Sequence, residues 1–271
     1  MPLPRPVIWF ILPIVGLVPS ARADEPPTDV SEPPPYREFV VIPLRVHILT
    51  ADDLPEVDCK LSDEDVARIL GKVNGIWHKA GIHFGLESLV REPAERTEKF
   101  REAREDHEGP RLIPAFRVLL PEATRRFDGL HVYYIHKFAV NGIYMGDDFA
   151  LVQETAKLRP VEGGIDEPIP RVTAHELGHA LGLAHRQDRT NLLASGTTGT
   201  LLNTHEVARV RERSAKIKGA QAVADLRKAA ESATKDGDAA RARRLWTWLA
   251  EIPGEESAEA KQRLEEIKAG G

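Results

Sequence analysis

Cysteine is almost missing: Cys59 is the single one in 271 residues. An exported chain with one cysteine can hold no internal disulfide, so its stability has to come from a hydrophobic core and from any bound metal. Long apolar runs are missing too. The stretch from Val7 to Val18 is about a dozen residues, short of the roughly 20 that a membrane-spanning helix needs, and no later segment is longer and as apolar. Nor is there an excess of charge of one sign. The 37 basic and 42 acidic residues give a net charge of -5, which offers no electrostatic ground for nucleic acid or an anionic membrane surface as partner.

The beginning of the chain reads as an export signal. Arg5 supplies a positive start, Val7 to Val18 the apolar centre, and Ala21-Arg22-Ala23 an A-x-A cleavage site. The competing reading is an uncleaved anchor; the cleavage site favours removal. Residues 1–23 are therefore expected to be a signal peptide and the mature chain to begin at Asp24, secreted or periplasmic, with no membrane span. Residues 24–37, rich in proline, read as an extended linker. The roughly 250 residues of the mature chain suffice for one well-buried domain and a smaller appendage.

The most informative segment is HELGHALGLAH, from His175 to His185. On a helix, His175 and His179 are four residues apart and share a face. Glu176 lies about 100° around the same helix, close enough to hold a water without being a ligand. Gly182 falls where the helix has to stop, because glycine takes a left-handed conformation without a Cβ penalty. The chain can then turn back and deliver His185. Three imidazoles at this spacing suit a zinc ion, and the carboxylate suits a general base. Accidental occurrence of the full pattern is on the order of one in ten thousand.

The surrounding chain alternates strands and helices. Phe39 to Leu49 reads as a strand, with Pro43 suggesting an edge or a bulge. Ser62 and Asp65 resemble a helix cap, and Val66, Ile69, Leu70, Val73, Ile76 and Trp77 repeat at helical spacing until Gly81. Ile82, Phe84 and Leu86 alternate as the next strand, making a strand–helix–strand unit with a parallel pair. Arg91 to Arg111 is a charged insertion. Leu112 to Leu120 reads as a strand, Leu130 to Phe138 as a stronger one, and Ile143 to Val152 as another that runs back after the turn at Asn141-Gly142. Asp166, Pro168 and Pro170 lead into the motif helix. Asn203 and Glu206 cap a long helix from Thr204 to Ala233, followed by helices at Ala239 to Ile252 and Ser257 to Ala269. The boundary between a catalytic domain, 38–219, and a helical tail, 220–271, is placed near Ala220.

On His175, Glu176, His179, Gly182 and His185 the chain resembles a metzincin, the zinc endopeptidase clan defined by HExxHxxGxxH and a methionine-containing turn. The resemblance implies an α/β zincin-like fold: a twisted, mostly parallel sheet with one antiparallel edge strand over an active-site helix, here followed by C-terminal helices. It implies Zn2+ on His175, His179 and His185, Glu176 as general base, and a peptide or protein substrate paired along the edge strand, which would be Ile143 to Val152. It spans Phe39 to about Arg213, with only the eleven-residue motif specific. Two positions depart from the clan. Leu193 stands where the turn methionine would be; the two are close in volume, and such swaps usually cost under about 1.5 kcal/mol. Arg186, after the third histidine, matches no familiar subfamily, and no tyrosine follows the turn.

Other residues carry open alternatives. Asp188 either bonds a ligand histidine or caps a turn. Asp147-Asp148 read as a turn before a calcium site, and Cys59 as a buried thiol before a latency switch. His47, His78, His83, His107, His131, His136 and His205 carry no ligand-like spacing. Asp236 to Ile267 faintly resembles one tetratricopeptide pair, although an amphipathic hairpin packed on the catalytic domain, or used to dock a protein partner, reads better. The functional expectation is an exported zinc endopeptidase; the alternative is a secreted zinc-binding scaffold that recognises peptide without cutting it, against which Glu176 argues.

Overall fold

The computed structural model describes residues 32–106, 111 and 113–269; the expected signal peptide, most of the linker, His107 and Leu112 lie outside them. In chain order the elements are β1 (Val40–Thr50), α1 (Asp63–Trp77), β2 (Ile82–Pro93), α2 (Thr97–Asp106), α3 (Ile113–Phe116), β3 (Leu130–Ile135), β4 (Gly142–Tyr144), β5 (Phe149–Gln153), α4 (Pro168–Ala180), α5 (Thr204–Ser214), β6 (Gln221–Ala222), α6 (Val223–Lys235), α7 (Ala239–Glu251) and α8 (Ser257–Ala269). The fold is mixed α/β. Its sheet runs β2-β1-β3-β5-β4, parallel except for β4, which is antiparallel to β5 at the edge, and for the two-residue β6, which pairs antiparallel with the start of β1.

β1 organises the sheet because its side chains alternate between two buried faces. Ile42, Leu44, Val46 and Ile48 point to the face covered by α1 and α4, where they meet Val132, Tyr134 and Val152. Val41 points the other way, to a core shared with α6, α7 and α8. Leu49, on that same second face, joins Tyr133 and Leu151 beneath Phe100 of α2 and Phe116 of α3. The helices thus form layers on both sides of one sheet.

Pro43 sits within the central strand, not at an edge. Its neighbours explain the tolerance: β6 pairs with β1 at Val40 and Val41, and β3 begins pairing only at Leu44. The missing N–H of Pro43 therefore falls in the gap between two partners. A bulge does lie on the other side, but in β2 and not in the proline's own strand: Leu44 opposes Leu86 and Arg45 opposes Ser88, leaving Glu87 without a ladder partner.

Three expected elements differ. The stretch 113–119 is helical, a short α-turn continued by a 3-10 turn. Ile113, Phe116 and Leu119 recur every third residue, a helical period in what reads as a strand-like apolar run. Ile143 to Val152 is two strands joined by a turn at Gly146, Asp147 and Asp148, all with positive φ. The antiparallel edge strand is β4 alone, and β5 is interior. The helix expected from Thr204 to Ala233 is broken: Gly219 turns with φ +85, and residues 221–222 add a strand to the free edge of β1 before α6 begins. Both capping boxes, Ser62 with Asp65 and Asn203 with Glu206, are formed as expected.

The C-terminal helices are fastened to the sheet. Trp248 of α7 is buried, donates its indole N–H to Leu86 O at 3.2 Å, and lies so close to Gly85 of β2 that a Cβ there would overlap the ring. Tyr36 donates its hydroxyl to Leu249 O at 2.8 Å. Among the described residues no helix is long and apolar enough to cross a membrane. Gly85→Ala is expected to lower unfolding stability by about 1–3 kcal/mol, measured by urea denaturation, and Gly71→Ala, on the open side of α1 where nothing crowds a Cβ, to leave it unchanged or raised. Equal midpoints for the Gly85→Ala and unmutated chains would show that α7 does not dock on β2 in this way.

Candidate metal centre

The motif helix α4 is bounded at both ends by local chemistry. Pro168 and Pro170 fall in its first turn, where a missing N–H costs nothing. At the other end Gly182 takes φ +83. Its N–H donates to His179 O at 2.9 Å, and the Leu183 N–H donates to Gly178 O at 3.0 Å, the paired bonds of a Schellman stop. The chain reverses there and carries His185 back over the helix.

The three imidazoles meet at their Nε2 atoms. His179 Nε2 lies 3.1 Å from His175 Nε2 and 3.2 Å from His185 Nε2. The opposite nitrogens decide the protonation. His175 Nδ1 faces Leu192 O at 2.8 Å, and His179 Nδ1 faces Leu183 O at 2.8 Å. A carbonyl only accepts, so both Nδ1 atoms carry the proton and both Nε2 atoms present lone pairs to each other. Two lone pairs at 3.1 Å repel unless a cation lies between them. Nitrogens placed tetrahedrally at about 2.0–2.1 Å from a zinc-sized ion stand roughly 3.3–3.4 Å apart, close to the spacing found. Burial pushes His175 down to about 3 and lowers His179, so both are neutral, as metal ligation requires. Among the described residues this is the one histidine, cysteine and carboxylate group with metal-holding geometry. It could bind a metal ion.

A second set of bonds fixes the turn beneath the ligands. Leu193 is fully buried and packs against Gly178 of α4, filling the place that the metzincin resemblance gives to methionine. Asn191 Oδ1 accepts from the Leu193 N–H at 2.7 Å, while its amide donates to Glu206 at 2.9 Å. Glu206, 2% exposed, also accepts from Arg186 Nε at 2.6 Å and from the Asn203 N–H at 2.9 Å. Arg186 thus clamps the segment after His185 to the cap of α5. Sequence reading finds Glu206 only as a helix cap, and Asn191 only as the first residue of the turn, with no bonding role.

Arg171, one helical turn before His175, is also missed by motif reading. It is 1% exposed. Its Nε donates to Gly199 O at 3.0 Å, and its Nη2 donates to Ala194 O at 2.6 Å and Asn191 O at 3.3 Å. The acceptors are all backbone carbonyls, which no sequence pattern displays. Burial pushes Arg171 down to about 10, leaving it cationic at neutral pH.

Glu176 is 5% exposed and lies beside the histidines in a cleft of about 730 Å³. β4 forms the opposite lip. Gly142 lets this strand approach: a Cβ there would stand 2.6 Å from Val172 Cγ1 and 3.0 Å from Glu176 Cγ. Burial pushes Glu176 up to about 8, against a backbone hydrogen bond from Tyr144 and the nearby Arg171 charge, which both lower it.

The remaining alternatives resolve structurally. Asp188 accepts from the Thr190 N–H at 2.9 Å and hydroxyl at 2.8 Å, so it caps the turn. Asp147 and Asp148 are the hairpin turn between β4 and β5. The Cys59 thiol donates to Glu154 and is pushed up to about 12 by burial, an inert buried group. His131 and His47 sit side by side, with His47 on Glu92 at 2.7 Å and on His131 at 3.0 Å. They form a buried chain under β1 and β3, not a cage.

In the metal-free chain the raised pKa of Glu176 has a definite sign. The fold favours the protonated acid, so this contribution to stability is complete below about 4.5 and is lost as pH rises to about 8. Glu176→Gln removes that dependence. Relative to the metal-free unmutated chain, the variant is expected to gain several kcal/mol between pH about 4.5 and 8, read from urea midpoints. Parallel pH profiles for the two chains would contradict the buried carboxylic acid.

No protein-family model matches the chain. No curated protein matches it either. Among the solved structures similar to it is one titled "Structure of a chaperone-substrate complex", at 12% identity and a TM-score of 0.40, over 66% of this chain and 35% of that one. The chain therefore spans about a third of that protein's length, and a likeness of this size bears on neither fold nor function.

Proposed function

We propose that the chain is an exported, metzincin-like zinc endopeptidase. The observation that carries this reading is the meeting of three Nε2 atoms at 3.1–3.2 Å, with Glu176 next in sequence to the first. Three imidazoles with no fourth protein ligand among the described residues suit zinc in a catalytic site better than in a structural one. When bound, the ion supplies Lewis-acid chemistry, drawing the pKa of a water down toward about 7 and polarising the scissile carbonyl.

The protein's own groups do the rest. The carbonyls of Leu192 and Leu183 hold His175 and His179 in the tautomer that frees Nε2. Glu176, inside the cleft, takes a proton from the attacking water and returns it to the amine that leaves. The outer edge of β4, unpaired in the sheet order, receives an extended peptide by main-chain pairing, with Gly142 permitting the close approach. The apolar stretch 7–18 and its A-x-A site support export.

Purified chain is expected to carry about one zinc, which His179→Ala loses. Glu176→Gln is expected to keep the zinc and to lose about 10²-fold or more in cleavage of an unfolded protein, followed by mass spectrometry of the fragments. If both the unmutated and Glu176→Gln chains bound peptide equally and neither cut it, the non-catalytic scaffold reading would replace this one.

A further inference from the structure

Arg171 stands out by a count of its donors. Among the largest fully buried side chains it is the one that bears a charge, and among the described residues no carboxylate lies within ion-pair distance of it. A guanidinium has five N–H groups. Three are spent on the carbonyls of Gly199, Ala194 and Asn191. The remaining two belong to Nη1, which lies 3.1 Å from His175 Nδ1. That nitrogen already carries a proton directed at Leu192 O, 2.8 Å away, so it has no lone pair to offer. Nη1 is the unspent end of a buried cation.

Its position gives that end a use. Arg171 forms part of the cleft wall beside His175. Around it the wall is largely apolar, with Ile113, Val140, Leu158 and Val172, and apolar surroundings strengthen a charge-assisted hydrogen bond. Glu176 is the single acidic group of the wall. Nearby, the Arg159 guanidinium reaches the edge of the same cleft at Gly196, and no carboxylate pairs with Arg159 among the described residues.

We infer that Arg171 is a specificity-determining residue that binds a carboxylate of the substrate next to the metal centre. The substrate class is peptide bearing an acidic group at that place: either an Asp or Glu side chain within the peptide, or a free C-terminal carboxylate. This rests on the peptidase reading for its substrate, although the binding it describes needs no cleavage. The three bonds to backbone carbonyls hold the guanidinium plane still, so Nη1 is presented without further ordering.

The test is calorimetric binding to the full-length Glu176→Gln chain, with and without zinc. The probes are a capped Ala/Leu decapeptide, its versions with one central Glu or one central Gln, and a version with a free C-terminal carboxylate. One of the two carboxylate peptides is expected to bind about tenfold or more tightly than its neutral counterpart, in both metal states; which one does so names the source of the carboxylate. Arg171→Met is expected to erase that ratio and Arg171→Lys to keep part of it. A purely structural Arg171 would weaken all four peptides alike. Equal affinities with Arg171 intact would overturn the inference without recourse to any variant. So would an advantage that survives Arg171→Met or that vanishes with the zinc, since the carboxylate would then be binding the metal itself. The peptidase reading fails separately, if the chain with Glu176 intact and zinc bound leaves every peptide whole.

Discussion

Two backbone carbonyls decide the chemistry of the cleft. Leu192 O and Leu183 O each accept a hydrogen bond from the Nδ1–H of a histidine, and that turns the Nε2 lone pairs of His175 and His179 toward one another. Without those bonds the rings could exchange tautomers and hydrogen-bond directly. With them, the mutual repulsion is relieved by a cation, and the site is arranged before any metal arrives. The positions of the two carbonyls follow from the Schellman stop at Gly182 and from the turn at Asn191–Ser195. The metal centre is therefore only as well ordered as those two turns.

The turn is held from three directions: Arg171 from α4, Asn191 from within, and Glu206 from the cap of α5. Glu206 also takes Arg186, the residue directly after the third histidine. One buried carboxylate thus links the third histidine, the turn beneath the histidines and the start of the next helix. Removing one partner from such a buried network costs more than a surface ion pair is worth, because a charge is left without compensation. Leu193 needs only to fill space under α4, and its volume suffices.

Much of this was readable in the residues. The HELGHALGLAH spacing locates three histidines and a carboxylate on one helix and its return turn, because helical period and glycine stereochemistry leave little freedom. The capping boxes at Ser62 and Asn203 are local and formed as read. What escaped was set by partners distant in sequence. Residues 221–222 become a strand because β1 leaves a short edge open before β3 begins. Residues 143–152 divide at Gly146, Asp147 and Asp148, all with positive φ; the two aspartates read as a turn, yet the strand expectation runs straight through them. Arg171 escaped because its partners are main-chain carbonyls, and Gly142 because its closeness to Glu176 exists only once β4 lies across α4.

The claim at the centre is that the three Nε2 atoms share one ion. Anomalous X-ray diffraction from crystals of the purified chain, with data on both sides of the zinc absorption edge, measures this most directly. The account predicts a single zinc peak about 2.0–2.1 Å from Nε2 of His175, His179 and His185, with a non-protein fourth neighbour. A peak at any other residues, a protein side chain in the fourth position, or no zinc peak from crystals grown at neutral pH with zinc supplied would contradict it.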